Sequence, residues 1–180
     1  MSSFSDAHEC REIPIIAANV HRAILPAQSQ IWAVLRKEDS IKRITYSIAN
    51  TFLGRMCLSG DVYDLNKEQW DCIEQGIKFY QSASPIIRDG KSKYYGSEIA
   101  SYNHPEGWQA VIRSSTKVNK ELAVIHTFEK APQRIEIPVG EAITQIEEIY
   151  ARPEVNISLK DHKLILEHME DFEGIGIKLC

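Results

Sequence analysis

Two hydrophobic periods divide the chain. In the first half, apolar residues return every three or four positions. Ile13, Ile16, Ala17, Val20 and Ile24 share one face, and Pro14 stands where a first helical turn tolerates it. Ile41, Ile44, Ile48 and Phe52 share another, behind Ser40 as a capping residue and ahead of Gly54 as a stop. Trp70, Ile73, Ile77 and Tyr80 make a third, opened by Asn66 with Gln69 three residues on and closed by Pro85. Each pattern predicts a helix with one buried face, and Trp70 is expected in the core. Arg55–Gly60, short and apolar, reads as a buried strand, while 23–26 admits either a strand or a helix end. Helix, buried strand and helix joined by short loops is the grammar of a parallel α/β unit.

Beyond residue 90 the period falls to two, with turn residues about every ten positions. Strands are predicted at 97–102, 108–114, 122–128, 134–137, Ile146–Tyr150, 155–159, 163–168 and Gly174–Leu179. Val155, Ile157 and Leu159, and likewise Ile175, Ile177 and Leu179, alternate as strands with one wet face should. Eight short antiparallel strands predict a β-sandwich. The chain is therefore divided into an α/β part, 1–90, and a β-sandwich, 91–180, with the second expected to fold by itself.

The 180 residues carry a formal net charge of -4, and 43% are hydrophobic, as in a folded domain. A whole (β/α)₈ barrel takes about 250 residues, more than this chain has. The first ninety residues hold 10 basic and 11 acidic side chains and the rest 11 and 14, so no basic surface for nucleic acid is expected. No apolar run is long enough to cross a bilayer, and the opening residues lack the features of a signal peptide, so a cytoplasmic protein with no membrane partner is expected. Cys10, Cys57, Cys72 and Cys180 form no C-x-x-C pair and read as reduced thiols; no metal or cofactor site is expected. His8-Glu9 begins like a zinc-protease helix but lacks the second histidine.

Three stretches carry a family likeness: Ile24 through Trp32, Phe52 through Asp61, and Trp70 through Pro85. Two more follow, Tyr102-Asn103-His104-Pro105-Glu106-Gly107-Trp108 and His126-Thr127-Phe128-Glu129. Together they resemble the carboxyl-terminal portion of the melibiase-type α-galactosidases, glycoside hydrolase family 36 of clan D. The resemblance implies the end of a (β/α)₈ TIM barrel followed by a small antiparallel β-sandwich. It puts the start of the chain near the sixth barrel strand, with Arg55–Gly60 as the eighth strand and 66–83 as the eighth helix.

It further implies a retaining mechanism with two carboxylates, hydrolysing terminal α-galactosyl residues of oligosaccharides. Ser5-Asp6-Ala7-His8-Glu9 matches the acid/base setting, which makes Asp6 the catalytic candidate. The family's nucleophile lies upstream in a Lys-x-Asp strand. Lys37-Glu38-Asp39 fits that pattern formally, but it follows Asp6 and precedes a helix start, so Asp39 reads better as a helix-start acid. An isolated chain is then expected to be inactive. It is expected to pair with itself or with a missing amino-terminal half. The alternatives are a non-catalytic carbohydrate-binding or interaction module, or one half of a split glycosidase.

Substrate-binding candidates are Asp61, just past the eighth strand, and Gln28, near the seventh, where an amide suits sugar hydroxyls. Asp61 has the competing role of satisfying backbone amides in a turn. Trp32 is a candidate for stacking on a sugar ring, with burial as the plainer reading. Arg11 and Glu12 read as a surface ion pair.

Overall fold

The computed structural model describes residues 9–180, and residues 2–3 as backbone. Three parallel strands, β1 (Ser2–Ser3), β2 (Ser29–Leu35) and β3 (Arg55–Gly60), form a sheet in that order. Helix α1 (Ile13–Val20) joins the first pair, α2 (Ile41–Thr51) the second, and α3 (Lys67–Asp89) follows the last. This is three successive strand–helix units, with β3 as an edge strand. Its residues are half-buried or exposed, so the expected burial of Arg55–Gly60 is not met. No closed barrel is present among the described residues.

The helix starts follow their local chemistry. Ser40 Oγ accepts from the Arg43 amide at 3.2 Å. Asn66 and Gln69 make a reciprocal capping box, both bonds 2.9 Å. The end of α3 does not follow the sequence pattern: the helix runs through Pro85 to Asp89. An interior proline costs a helix about 3 kcal/mol. Ile86 and Ile87, at 1% and 3% exposure, repay it through burial, about 1.5–3 kcal/mol for each such side chain. The buried stripe of α3 is also rotated from the expected one, using Gln69, Ile73, Gly76, Phe79 and Ala83. Trp70 is accordingly 41% exposed rather than in the core.

Eight strands follow, as predicted in number. The five-stranded sheet is ordered β4 (Lys91–Gly96), β5 (Trp108–Ser115), β6 (Lys120–Thr127), β11 (Gly174–Leu179), β8 (Ile146–Tyr150). The three-stranded sheet is ordered β7 (Arg134–Pro138), β10 (Lys163–Glu167), β9 (Asn156–Lys160). All pairings in both are antiparallel. The first of these strands lies at Lys91–Gly96, not at 97–102. Gly96 leaves the sheet at φ +137°, and the chain re-enters at Trp108.

Alternate residues of the five-stranded sheet serve two cores. Ala110, Ile112, Ala123, Ile125, Ile175 and Ile177 face the three-stranded sheet. Val111, Leu122, Val124 and Tyr150 join Ile44, Ile48, Phe52 and Phe79 of the helices. Thus α2 lies between the parallel sheet and the five-stranded sheet, and α3 packs on α2 and the five-stranded sheet. One core cluster draws on both sides of residue 90, while the other lies wholly within 91–180. The same packing corrects the wet face expected for β11, all six of whose residues are buried. Gly176 faces the helices there because a Cβ would lie 2.7 Å from Phe79 Cε1 and 2.8 Å from Phe52 Cδ2.

Candidate functional site

In a parallel α/β unit, chemistry gathers where strands end and helices begin. Between β1 and α1 the sequence has Asp6, which lies outside the described residues, and then Glu9, Cys10 and Arg11. The loop after β2 holds Arg36 to Asp39, and the loop after β3 holds Asp61 to Asp64.

The ends of β2 and β3 are locked together. Asp61 N–H donates to the Leu35 carbonyl at 2.8 Å, and Gly60 has φ +97°. A Cβ there would stand 2.1 Å from the Leu35 oxygen, so only glycine allows this approach. Asp61 then opens a short 3₁₀ turn through its carbonyl, which accepts from the Asp64 amide at 2.9 Å, while its side chain makes no capping bond. The carboxylate is therefore not spent on the turn. Across the gap, Lys37 Nζ lies 3.9 Å from Asp64 Oδ2.

The loop after β2 is held from two directions. Gln69 of α3 donates through Nε2 to the carbonyls of Lys37, at 3.0 Å, and Asp39, at 2.8 Å. Asp39 Oδ2 accepts from the Arg36 amide at 2.8 Å, and its Oδ1 pairs with Arg43 Nε at 3.1 Å. With its side chain 2% exposed, Asp39 is a structural acid at a helix start. Gln69 was legible in the sequence as a capping residue, but its grip on this loop spans about thirty positions and leaves no local signal.

On the β1 side, Glu9 Oε1 accepts from the amides of Cys10, at 2.8 Å, and Arg11, at 3.0 Å. Partial burial pushes the Glu9 carboxyl up, but these amides together with the Arg11 and Arg43 guanidinium groups outweigh it and hold the group below its ordinary value. Burial raises the Cys10 thiol. Arg11 pairs with Glu9 and Glu129 rather than with the expected Glu12, and it lies 5.1 Å over the Phe172 ring.

The alternation of β2 and β3 decides what the sheet presents away from its helices. Ile31, Ala33 and Leu35 enter the helical core, with Met56 and Leu58 packed against it. The opposite face therefore carries Trp32 beside Cys57 and Val34 beside Ser59. Trp32, Cys57 and Ser59 are half-buried there.

Gln28 is not near Asp61. It closes the 3₁₀ turn at the amino end of β2, exposed, with its amide donating to Leu25. The seven residues of β2, at about 3.3 Å each, put about 20 Å between the two ends. One small ligand cannot touch both. Among the described residues no cluster of three or more His, Cys, Asp or Glu could hold a metal, and no helix is long and apolar enough to cross a membrane.

No family model and no curated protein matches this sequence. The fold, however, has solved counterparts. A variant of the glycoside hydrolase family 36 alpha-galactosidase AgaA from Geobacillus stearothermophilus, in complex with stachyose, superposes with a TM-score of 0.66 at 16% identity, covering 97% of this chain and 25% of that one. A second AgaA variant, in complex with raffinose, gives 0.65 at 14% identity over 96% and 24%. The alpha-galactosidase from Lactobacillus brevis gives 0.62 at 16% over 97% and 25%. The chain thus has the fold of about a quarter of these enzymes.

Proposed function

We propose that this chain is the carboxyl-terminal portion of a retaining α-galactosidase, with 1–90 supplying the last three strand–helix units of the barrel and 91–180 its sandwich. One observation carries the reading: three parallel strands open their carboxyl ends onto one edge, with Asp61 at the last of them. That arrangement is accompanied by a fold likeness to alpha-galactosidases over nearly the whole chain.

The chemistry divides between this chain and the barrel strands that would precede it. Asp6, which precedes α1 in sequence, is assigned the proton donor to the leaving glycosidic oxygen, and Asp61 a contact to substrate hydroxyls. Retention needs a second carboxylate about 5–5.5 Å from the first, acting as the nucleophile. Asp39 is withdrawn from that role by its bonds to Arg36 and Arg43. The nucleophile then belongs to an earlier strand. Gln28, at the amino end of β2, is left out of this site. The face bearing Trp32, Val34, Cys57 and Ser59 would line the barrel interior once the remaining strands close it.

The test is hydrolysis of a chromogenic α-galactoside by the 180-residue chain, alone and after addition of an amino-terminal barrel segment carrying the Lys-x-Asp strand. No turnover by the chain alone is expected. With the added segment, turnover should appear, be lost in Asp6→Asn and fall in Asp61→Asn. Turnover by the chain alone, or turnover by the pair that survives Asp6→Asn, would overturn the assignment.

A further inference from the structure

A cavity of about 540 Å³ lies on the far side of α1 from the parallel sheet. Ile13 and Ala17 of that helix enter the core, Ala18 touches both core and cavity, and Ile15 and Asn19, with Arg22 just past the helix end, line the cavity. The facing wall comes from β4 and β5, and Ser97, Ile99 and Tyr102 of the segment after Gly96 complete the lining. Helix α1 therefore separates this cavity from the face that bears Trp32 and Cys57, and it is a different place from the strand-end site.

Its chemistry is selective. The floor is apolar, formed by Ile15, Ala18 and Val111. Tyr94 and Tyr102 supply aromatic surface, with the Arg22 guanidinium 5.2 Å over the Tyr94 ring and Tyr102 46% exposed. Asn19 Nδ2 donates to the Tyr102 hydroxyl at 3.1 Å, a bond that uses neither that hydroxyl's own proton nor Asn19 Oδ1. Gln109 Nε2 donates to the Pro14 carbonyl at 2.8 Å, which fixes the amide and leaves Oε1 as an acceptor. Among the described residues no carboxylate and no lysine lines the space, and the one cation there, Arg22, is already engaged with an aromatic ring.

A fitting ligand must offer hydroxyls that both donate and accept, an apolar face for tyrosine, and no charge needing more than one cation. A neutral pyranoside has all three: a C–H face for the ring and a rim of hydroxyls for the amides. The volume lies within the roughly 300–1,000 Å³ usual for small-ligand pockets. An inorganic dianion would find one guanidinium among several acceptor oxygens.

We propose that this cavity is a binding site for a neutral mono- or disaccharide, separate from the strand-end site and independent of the catalytic reading. The loop after Gly96 acts as its wall, and the Asn19–Tyr102 bond holds that wall to α1.

The test is an amide-resolved NMR titration of the full chain with methyl α-galactopyranoside, methyl β-glucopyranoside and, separately, sulfate. The amides of Asn19, Tyr95, Ser97 and Gln109 are expected to shift and saturate in the millimolar range with at least one sugar. Arg22→Ala and Tyr102→Ala should each weaken binding about ten-fold, equivalent to about 1.4 kcal/mol. Both side chains are exposed, and the spectrum of each variant reports its own folding. Tyr102→Phe, which keeps the ring and loses the tie to Asn19, should weaken binding less than Tyr102→Ala. Asp61→Asn should leave the shifts at these four amides unchanged, which separates failure here from failure of the catalytic assignment. Absence of shifts at these amides with both sugars would overturn the proposal. So would equal binding by wild type and both alanine variants, or shifts produced by sulfate alone.

Discussion

Arg113 of the five-stranded sheet donates through Nη2 to the carbonyl of Leu53, 3.1 Å away, just past the carboxyl end of α2. The same side chain reaches Ser92 Oγ at 3.0 Å through Nε and the Ile87 carbonyl at 3.5 Å through Nη1. It is 1% exposed, and burial lowers its pKa to about 10. One guanidinium thus ties the ends of two helices to the sheet beneath them, at a place where unpaired carbonyls would otherwise be sealed from water.

Arg113→Ala should therefore destabilise the chain by about 2–3 kcal/mol, the range for losing hydrogen bonds to a charged donor. Arg113→Lys should recover little, because an ammonium cannot reproduce the planar fork that reaches separate acceptors. Urea unfolding gives both values. A lysine variant as stable as wild type would show that charge alone matters at this position.

Gly176→Ala tests the close approach of sheet and helices. The added methyl meets Phe79 and Phe52 at 2.7–2.8 Å, and the rings of those two residues already pack with centroids 4.7 Å apart at a tilt of 42°. Overpacking of this kind costs about 1–3 kcal/mol. A lowered urea midpoint with an unchanged slope is the expected result, and an unshifted midpoint would mean that the aromatic pair moves freely.

The two capping partners of α3 should separate in their effects. Asn66→Ala removes one cap and should cost about 1 kcal/mol. Gln69→Ala removes the reciprocal cap and also strands two carbonyls of the loop after β2, so about 2–3 kcal/mol is expected. Hydrogen exchange at residues 36–39 should accelerate in the second variant and not in the first. Equal exchange in both would place the loop's support elsewhere.

What the sequence made legible follows the range of the forces involved. Ser40, Asn66 and Gln69 marked their helix starts because a cap acts within three residues. Arg55–Gly60 and most later strands could be read from period and turns. Pro85 misled because the burial of Ile86 and Ile87 that outweighs it is tertiary. Gly174 and Gly176 read as a wet face because glycine carries no hydropathy signal for close contact with a helix. Of the site, Asp61 could be placed from its position after a strand. Gln28 reads as near a strand, but which end it occupies follows only from the start of β2 at Ser29, which the sequence pattern does not mark.

His126 gives a pH prediction with a definite sign. It is fully buried edge-on to Tyr46, with centroids 5.1 Å apart, and neither ring nitrogen has a hydrogen-bond partner among the described residues. Burial lowers its pKa from 6.5 to about 3. The unfolded chain takes up this proton between those values and the folded chain does not, so stability is whole above pH 6.5 and falls as pH drops toward 3, by about 1 kcal/mol per pH unit from this group. His21, lowered to about 4 by burial and by Arg113, falls in the same direction. Urea midpoints taken from pH 7 to pH 5 should decline in wild type and decline less in His126→Phe. An equal decline in both would remove His126 as a cause.

Separating the two halves of the chain should expose the core they share. A polypeptide of residues 91–180 would keep the contact between its two sheets through Ile125, Ile175, Leu164 and Leu166. It would also present Val111, Leu122, Val124 and Tyr150 to water, the face that α2 and α3 cover in the whole chain. Four such side chains at about 1.5–3 kcal/mol each are comparable to the whole stability of a small domain, about 5–15 kcal/mol. The piece is therefore expected to self-associate and to bind an apolar dye, where the 180-residue chain binds little. Light scattering and dye fluorescence of the two, at equal concentration, decide the matter. A monomeric, dye-silent and cooperatively folding 91–180 would mean that the sandwich needs nothing from the helices, and that the packing of α2 and α3 against it is an interface between independent domains.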